Sequence, residues 1–373
     1  MRIVLTRSNP KDAALQKLAK TLSQLGRVDC YIWDRQNDFK PAISNEMVHY
    51  RHFRLKAGFY SLGTLCKLLL FQIWLFFNLL VARAEIIHAI DLDTGLPAFF
   101  AAKLSKKKLI YHCLDPYYAA LPPRWPSYFA RLARWTENKV ISAADAFVIT
   151  DHLRLSQHEG AFPRQTVEVA NVPVLSPGFS LTVRHEGFKV GYLGSLISGR
   201  NLMILIDACG ELAPHGIRLI IGSFGPLEAE IEAYARRWSN VTYRHWMPYD
   251  QVLLEESGMD VIVHMTDPDS PSQKWVSPNK LYEAMALAKP IIVAKNTLAA
   301  QRVELFGNGL IVDYGSKEEL QSALLRLASY PDYAKGLGCN GREEFERNWR
   351  PEIMEERLVS LYRGLIGNLD SVV

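Results

Sequence analysis

Ser277-Pro278-Asn279-Lys280-Leu281-Tyr282-Glu283-Ala284-Met285-Ala286-Leu287-Ala288-Lys289-Pro290-Ile291-Ile292 reads as a polar loop with a proline, a short helix carrying a single carboxylate, then Lys-Pro and an apolar strand. A loop that opens a helix gathers unpaired backbone N–H groups and the positive end of the helix dipole at one point, which suits a phosphate. Ser277, Pro278 and Asn279 form that loop, and Glu283 falls on the first turns of the helix. A carboxylate there can accept hydrogen bonds from ribose hydroxyls beside a bound phosphate. An ordinary βα unit with a solvent-facing Glu has the same pattern, so the local sequence leaves both readings open.

Working outward, the pattern of apolar strand and amphipathic helix repeats along the whole chain. In the first half, strands are expected at Arg2–Thr6, Val28–Trp33, Glu85–Ile90, Lys108–His112, Asp145–Thr150 and Thr166–Val169. Helices are expected at Asp12–Leu25, near Pro97–Leu104, around Pro126–Ala143 and at Asp151–Glu159. Apolar strands without strict alternation, separated by helices, argue for a parallel sheet covered on both faces. Pro173, Pro177-Gly178 and the polar run VRHEGF then break the pattern as a linker.

It restarts with a strand at Phe188–Leu193, a helix at Asn201–Leu212, a strand at Arg218–Ile221 and a helix at Pro226–Trp238. Val241–Arg244, Gln251–Ser257 and Asp260–His264 lead into the opening stretch, and Gly309–Val312 and helices from Lys317 and Pro331 follow. The expected fold class is α/β, with two facing Rossmann-like domains and a cleft between them, divided as 1–180 and 181–351. A last amphipathic helix spans 352–369.

A chain of 373 residues, 49% hydrophobic and 22% charged, is long enough for two domains, each with its own core. A net charge of +4 and the lack of zinc spacings or RNA-binding motifs argue against nucleic acid. Five scattered cysteines without a CxxC pair, and a start at Met1-Arg2-Ile3-Val4-Leu5 that reads as a strand, point to a reducing cytoplasm. The segment Leu65–Val81 is strongly apolar but interrupted by Lys67, Gln72 and Asn78. Its uninterrupted runs are short of the roughly 18–20 residues of a spanning helix, so a helix packed on a sheet is expected. The alternative is an interfacial helix, with Arg51, Arg54, Lys56, Lys67 and Lys106-Lys107-Lys108 turned to anionic lipid.

Several strand-to-helix loops carry candidate chemistry. Gly194-Ser195-Leu196-Ile197-Ser198-Gly199-Arg200 is glycine-rich, and an Arg where the loop becomes a helix can clamp phosphate oxygens. Ile221-Gly222-Ser223-Phe224-Gly225-Pro226 is a second such loop, and His245-Trp246-Met247-Pro248-Tyr249 a third. In the first half, His88-Ala89-Ile90-Asp91-Leu92-Asp93-Thr94-Gly95 ends a strand and opens a helix, and Asp115 follows the next strand. Asp93 and Thr94 also fit N-capping of that helix.

SPNKLYEAMALAKPIIVA resembles the nucleotide-sugar signature of the retaining GT-B glycosyltransferases of the family-four type, glycosyl transferases group 1. The resemblance implies a GT-B architecture whose terminal helix, 352–369, packs back on the first domain. It implies that Glu283 holds the donor ribose and that Ser277, Pro278 and Asn279 cradle the diphosphate. Trp275 stands where the family carries a second Glu, and Asp267 or Asp269 is the candidate substitute. Arg200 matches the second of two cations facing the leaving diphosphate; Ser195 stands at the first, and Lys280 is the candidate to restore that charge. Gly194, Ser195, Gly222, Phe224, Gly225 and Met247 fall in the loops around the nucleotide. In the first half, Asp91 and Thr94 match the element that faces the donor sugar, and Asp93 replaces a histidine there; Ser8-Asn9-Pro10 replaces a glycine loop.

The resemblance thus implies a hexosyltransferase moving sugar from a UDP- or GDP-linked donor to a saccharide or lipid-linked acceptor, without a metal or other cofactor. Arg200, Lys280 and Asp93 are its candidate catalytic residues. Surface polysaccharide assembly in a bacterium, in the cytoplasm or peripheral at the membrane's inner face, is the expected setting. The alternatives are a GT-B-fold epimerase or hydrolase of nucleotide sugars, and a non-catalytic partner of another transferase.

Overall fold

A computed structural model describes residues 1–11, 13–41, 45–58, 62–121, 125–176, 179 and 187–370. The chain divides into two compact units, Met1–Asn171 with Met354–Val373, and Val172–Ile353. The division, after Asn171, falls nine residues before the expected 180/181, and the return at Met354 falls two after the expected 352. Asp12 and most of the expected linker lie outside the described residues.

Unit 1 is built on a seven-stranded sheet, all of whose pairs are parallel. Its strands are β1 (Arg2–Arg7), β2 (Arg27–Trp33), β3 (Val48–Phe53), β4 (Ile86–Ile90), β5 (Lys108–Cys113), β6 (Ala146–Ile149) and β7 (Thr166–Glu168), in the order β3-β2-β1-β4-β5-β6-β7. Its helices include α1 (Ala13–Ser23), α2 (Leu62–Val81), α3 (Leu92–Ser105), α4 (Tyr117–Ala120) and α5 (Ser127–Ala143). The central strands are buried along their whole length, as a parallel sheet with two covered faces requires. Strand β3 escapes the sequence reading because VHYRHF has no apolar run; as an edge strand it pairs with β2 and half-buries its aromatic side chains, with Phe53 edge-on to Trp33 at 6.1 Å.

Helices α2, α3 and α5 cover one face of this sheet, through Phe71, Leu75, Leu79, Ala98, Ala101, Val140 and Ile141. The expected helix near Pro97–Leu104 starts five residues earlier, at Leu92, with Pro97 inside it. A proline there removes the N–H that would bond the Asp93 carbonyl. The Gln72 side chain of α2 supplies the missing donor, at 3.1 Å. One of the polar interruptions in the apolar segment is therefore a structural bridge from α2 to α3. By length and composition alone Gly63–Val81 is sufficient to cross a membrane, despite those interruptions.

Unit 2 repeats the architecture with six strands in the order β10-β9-β8-β11-β12-β13, again all parallel. They are β8 (Phe188–Leu193), β9 (Ile217–Gly222), β10 (Val241–Arg244), β11 (Val261–His264), β12 (Ile291–Ala294) and β13 (Gly309–Val312). Its helices are α6 (Leu202–Glu211), α7 (Glu228–Ala235), α8 (Tyr249–Ser257), α9 (Pro271–Lys274), α10 (Asn279–Ala286), α11 (Leu298–Phe306), α12 (Lys317–Ser329) and α13 (Pro331–Glu344). A π-turn at Phe345–Trp349 follows, setting Trp349 against Tyr282 of α10 with ring centroids 4.9 Å apart.

The last helix, α14 (Pro351–Asp370), joins α1 on the second face of the unit 1 sheet through Leu358, Leu361, Tyr362 and Leu365. The Tyr362 hydroxyl lies 2.7 Å from His88 Nδ1, and His88 Nε2 lies 3.2 Å from His112 Nδ1, all three side chains being buried. Burial lowers both imidazoles well below the usual histidine value, His112 to about 3. The row stays neutral, so each contact is an ordinary hydrogen bond between uncharged partners.

Two outcomes follow from this row. Tyr362→Phe leaves His88 Nδ1 buried and unpaired, so a denaturant melt should lose roughly 1–3 kcal/mol. Because the unfolded histidines take up protons near pH 6.5 and the folded ones do not, the stability these histidines supply is complete above pH 6.5. It should fall as the pH drops from there towards 3, which a series of thermal melts would show.

Candidate functional site

The loops singled out in the second half of the sequence leave the carboxyl ends of unit 2 strands, where α/β sheets build their sites. The loops after β8 and β9 are laced together: the Gly194 N–H donates to the Gly222 carbonyl at 3.1 Å, and the Leu196 N–H to that of Phe224 at 2.9 Å. A side chain on Gly222 would run into the Arg244 backbone, and one on Gly225 into that of Leu196. Glycine at these positions lets two loops approach as backbone on backbone. Gly194 abuts the Lys280 stem, with 3.5 Å between a Cβ placed there and Lys280 Cε.

Lys280 and Glu283 occupy the first two turns of α10, three residues apart and hence on one side of the helix. Lys280 Nζ donates to Glu283 Oε2 and to Glu256 Oε1 of α8, both at 2.6 Å, and all three side chains are buried. Burial by itself would lower the Lys280 ammonium, but the two carboxylates raise it and keep it charged. Burial raises the Glu256 carboxyl against the pull of Lys280, with Glu283 adding to the rise. The other oxygen of Glu283 accepts the Tyr249 hydroxyl at 2.8 Å. The Lys280 charge is thus compensated inside the protein, and each Glu283 oxygen keeps acceptor capacity beyond the one bond it makes.

Arg200 is differently placed. It sits between Gly199 and Asn201, both in the left-handed backbone region at φ 78° and 57°. The Gly199 position is held by the Asp267 N–H, which donates to its carbonyl at 3.0 Å, and a Cβ there would collide with the Gln273 amide. Arg200 Nη1 lies 3.1 Å from Nε2 of His264, the last residue of β11. Burial, then Arg200 and Lys280, lower His264, so the neutral ring accepts that hydrogen bond. Arg200 Nε and His264 Nδ1 are buried and have no hydrogen-bond partner among the described residues. No described carboxylate pairs with Arg200, which leaves its charge and a donor uncompensated among the described residues at the end of the 194–199 loop.

The remaining unit 2 positions are more mixed. Ser195 is exposed, and its carbonyl accepts the Tyr192 hydroxyl at 2.8 Å. Phe224 is 55% exposed. The Met247 side chain packs on Leu193, Val252 and Met259 as part of a small apolar cluster. Pro278 is the N-cap of α10 and makes no side-chain capping bond; Ser277 is half-buried and Asn279 exposed. Trp275, half-buried, lies under Lys274 Nζ at 5.7 Å. Asp267 Oδ1 accepts the Asp269 N–H at 2.9 Å, forming a local turn.

Asp93 stands in unit 1. It lines a cavity of about 260 Å³ at the carboxyl ends of β1, β4 and β5, together with Arg7, Arg35, Asp91, Asp115 and Trp125. Burial, and then Asp91, raise the Asp93 carboxyl above the usual range, and its Oδ1 has no partner among the described residues. Asp91 is the more constrained neighbour: at φ 59° and ψ 167° its backbone adopts a region that favours glycine. Its carboxylate pairs with Arg7 and accepts the Leu114 N–H at 2.8 Å. Thr94 Oγ1 donates to the Ile90 carbonyl at 2.6 Å and turns away from the cavity role.

Glu256, Tyr249 and His264 were not among the sequence candidates. Glu256 had a signal: in α8, Val252, Leu253 and Glu256 recur at helical spacing on the buried side, so an acid shares the apolar face. His264 closes the apolar strand VIVH, directly before the HMTDPDS loop. Arg7 and Arg35 carry no such local mark.

Residues 187–330, most of unit 2, match the family model described as glycosyl transferases group 1. Among curated proteins, the capsular polysaccharide biosynthesis glycosyltransferase CapM of Staphylococcus aureus is 23% identical over 188 residues, a match covering 48% of this chain and 46% of CapM. The match thus spans about half the length of that relative. Among solved structures, sucrose-phosphate synthase from Thermosynechococcus elongatus gives a TM-score of 0.78 at 17% identity, over 99% of this chain and 100% of that one. Anabaena HepE, in complex with UDP and glucose, gives 0.72 at 18% identity, over 97% and 99%. These likenesses show the fold over the whole chain: two parallel-sheet α/β domains of GT-B type, the second of which carries the sequence pattern of the group 1 glycosyl transferases.

Proposed function

We propose that this chain is a glycosyltransferase that moves a hexose from a nucleotide-diphosphate sugar to a saccharide or lipid-linked saccharide. The observation that carries the reading is Arg200, whose buried Nε has no partner, and whose charge no carboxylate, among the described residues, at the strand ends of the family-matched segment. The UDP held by HepE favours a uridine diphosphate donor over a GDP-linked one. Glu283 takes the ribose hydroxyls on its remaining acceptor capacity. The diphosphate lies over the 277–279 loop and the α10 N-terminus, where the positive end of the helix dipole favours an anion.

In the reaction, the acceptor hydroxyl oxygen bonds to the anomeric carbon as the bond from that carbon to the diphosphate oxygen breaks. The hydroxyl proton leaves with the departing diphosphate, and the configuration is retained through attack on the same face. Arg200 stabilises the charge that grows on the leaving oxygen. Lys280, locked between Glu256 and Glu283, shapes and positions this site more than it adds free positive charge. Compensation by Arg200 and helix N–H groups needs no metal ion. Asp93, in the unit 1 cavity, is assigned to hydrogen bonding with the transferred sugar or acceptor. The setting is bacterial surface polysaccharide assembly in the reducing cytoplasm, with all five cysteines free.

A non-catalytic reading has one observation in its favour: Ser195 offers no charge, and that of Lys280 is already compensated. Thermal melts in EDTA separate the two. UDP, or GDP, at about 100 times its dissociation constant should raise stability by roughly 2.7 kcal/mol, and no response to either would support the non-catalytic reading. Arg200→Ala should keep the fold and cut turnover of the UDP-sugar by about 10²–10³-fold. Lys280→Met should instead be felt in stability, at about 3–5 kcal/mol in a denaturant melt, because it strands two buried carboxylates.

A further inference from the structure

Helices α2, α3 and α5 lie side by side on one face of the unit 1 sheet, so their outer sides form one surface. That surface is apolar to an unusual degree. From α2 it exposes Leu69, Leu70, Ile73, Phe77 and Val81, each between 47% and 78% exposed. Phe100 and Leu104 add to it from α3, and Tyr128, Leu132 and Trp135 from α5. Ile73, Phe76 and Phe77 face Leu96, Phe100 and Leu104 across an apolar groove of about 340 Å³. Contiguous apolar surface of this kind marks a docking site.

Its charges identify the partner. The three helices hold two carboxylates, Asp93 and Glu137, and both are buried. Their cations are Lys67, Lys103, Arg131, Arg134 and Lys139, joined at the end of α3 by Lys106 and Lys107. Lys103, Lys106, Arg131 and Lys139 are exposed. Lys107 Nζ donates to the Leu79 and Leu80 carbonyls and fixes the end of α2 beside the basic cluster. The nearby acid Glu159 lies 3.7 Å from Arg134. A second copy would meet this face with like charge, whereas an anionic bilayer complements both its cations and its apolar area. Trp135 and Tyr128 have the amphipathic rings that settle at a membrane interface.

We infer that the α2–α3–α5 face of unit 1 docks on an anionic lipid bilayer, with α2 lying in the interface plane. A spanning α2 would have to leave the sheet, exposing Phe71, Leu75 and Leu79, which are fully buried, and breaking the 5.3 Å stack of Phe71 on Trp33. The first turns of α2 also place Thr64, Leu65 and Leu68 in the wall of the Asp93 cavity. On the transferase reading, that cavity opens beside the docked face and meets an acceptor held by lipid. Docking itself does not depend on that reading.

The test is sedimentation of the full chain with vesicles of phosphatidylcholine alone and of phosphatidylcholine mixed with phosphatidylglycerol. The chain should sediment with the mixed vesicles, less so as salt rises, and wash off in alkaline carbonate. L69S/F77S/F100S should lower partitioning by about tenfold or more, and K103E/K106E/R131E by a similar factor. All six positions are exposed, so circular dichroism should be unchanged, and an intact UDP melt response would separate docking from the nucleotide site. Partitioning unchanged in both variants, or absent from the parent chain, overturns the proposal. So does resistance to carbonate, which means a spanning α2, or a dimer in solution that L69S/F77S/F100S dissolves.

Discussion

The contact on which the second unit's site depends is one ammonium shared by two buried carboxylates. Lys280 joins Glu283 on its own helix to Glu256 on α8, and Glu283 in turn receives Tyr249. Isolated burial of any of these charges would be prohibitive, so the three are stable only together. The joint fixes α10 against α8 and sets the α10 N-terminus beside Gly194, whose missing side chain leaves room for the lysine stem. The loops from β8, β9 and β11 then close round the same point.

Charge compensation has a second consequence. A lysine used as a structural pin is not also a free counter-ion, which leaves Arg200 as the cation of these loops with no carboxylate partner among the described residues. His264 supports that division. Kept neutral by burial and by two nearby cations, it accepts from Arg200 and adds no charge of its own. Unit 1 handles charge in the opposite manner. Its cavity gathers Asp91, Asp93 and Asp115 with Arg7 and Arg35, a mixed lining suited to hydroxyl groups more than to a phosphate.

Much of the fold was legible because parallel strands buried on both faces leave long apolar runs, as in IIHAI, AFVI and VIVH. What escaped was set by partners distant in sequence. Strand β3 has no apolar run and exists by pairing with β2. The start of α3 ahead of Pro97 relies on Gln72, 21 residues away along the chain. In the site, Arg200, Glu283 and the glycine loops were marked by local pattern, whereas the pairing of Glu256 with Lys280 and the contacts of Tyr249 and His264 became visible only when three strand ends and two helices met.

The sequence by itself determined the two α/β halves, the order of most of their elements and the loops that carry Gly194, Arg200, Lys280 and Glu283, since all of these follow from periodicity and turn chemistry over a few residues. Tertiary structure decided what those residues are available to do. Whether a lysine is a free cation or a buried pin depends on which carboxylates the fold brings within 2.6 Å. Whether an apolar helix is core or surface depends on which of its sides the sheet covers, and α2 buries Phe71, Leu75 and Leu79 while leaving Leu69, Ile73 and Phe77 to solvent. Burial and charge pairing are sums over neighbours far apart in the chain, and no local window of sequence contains them.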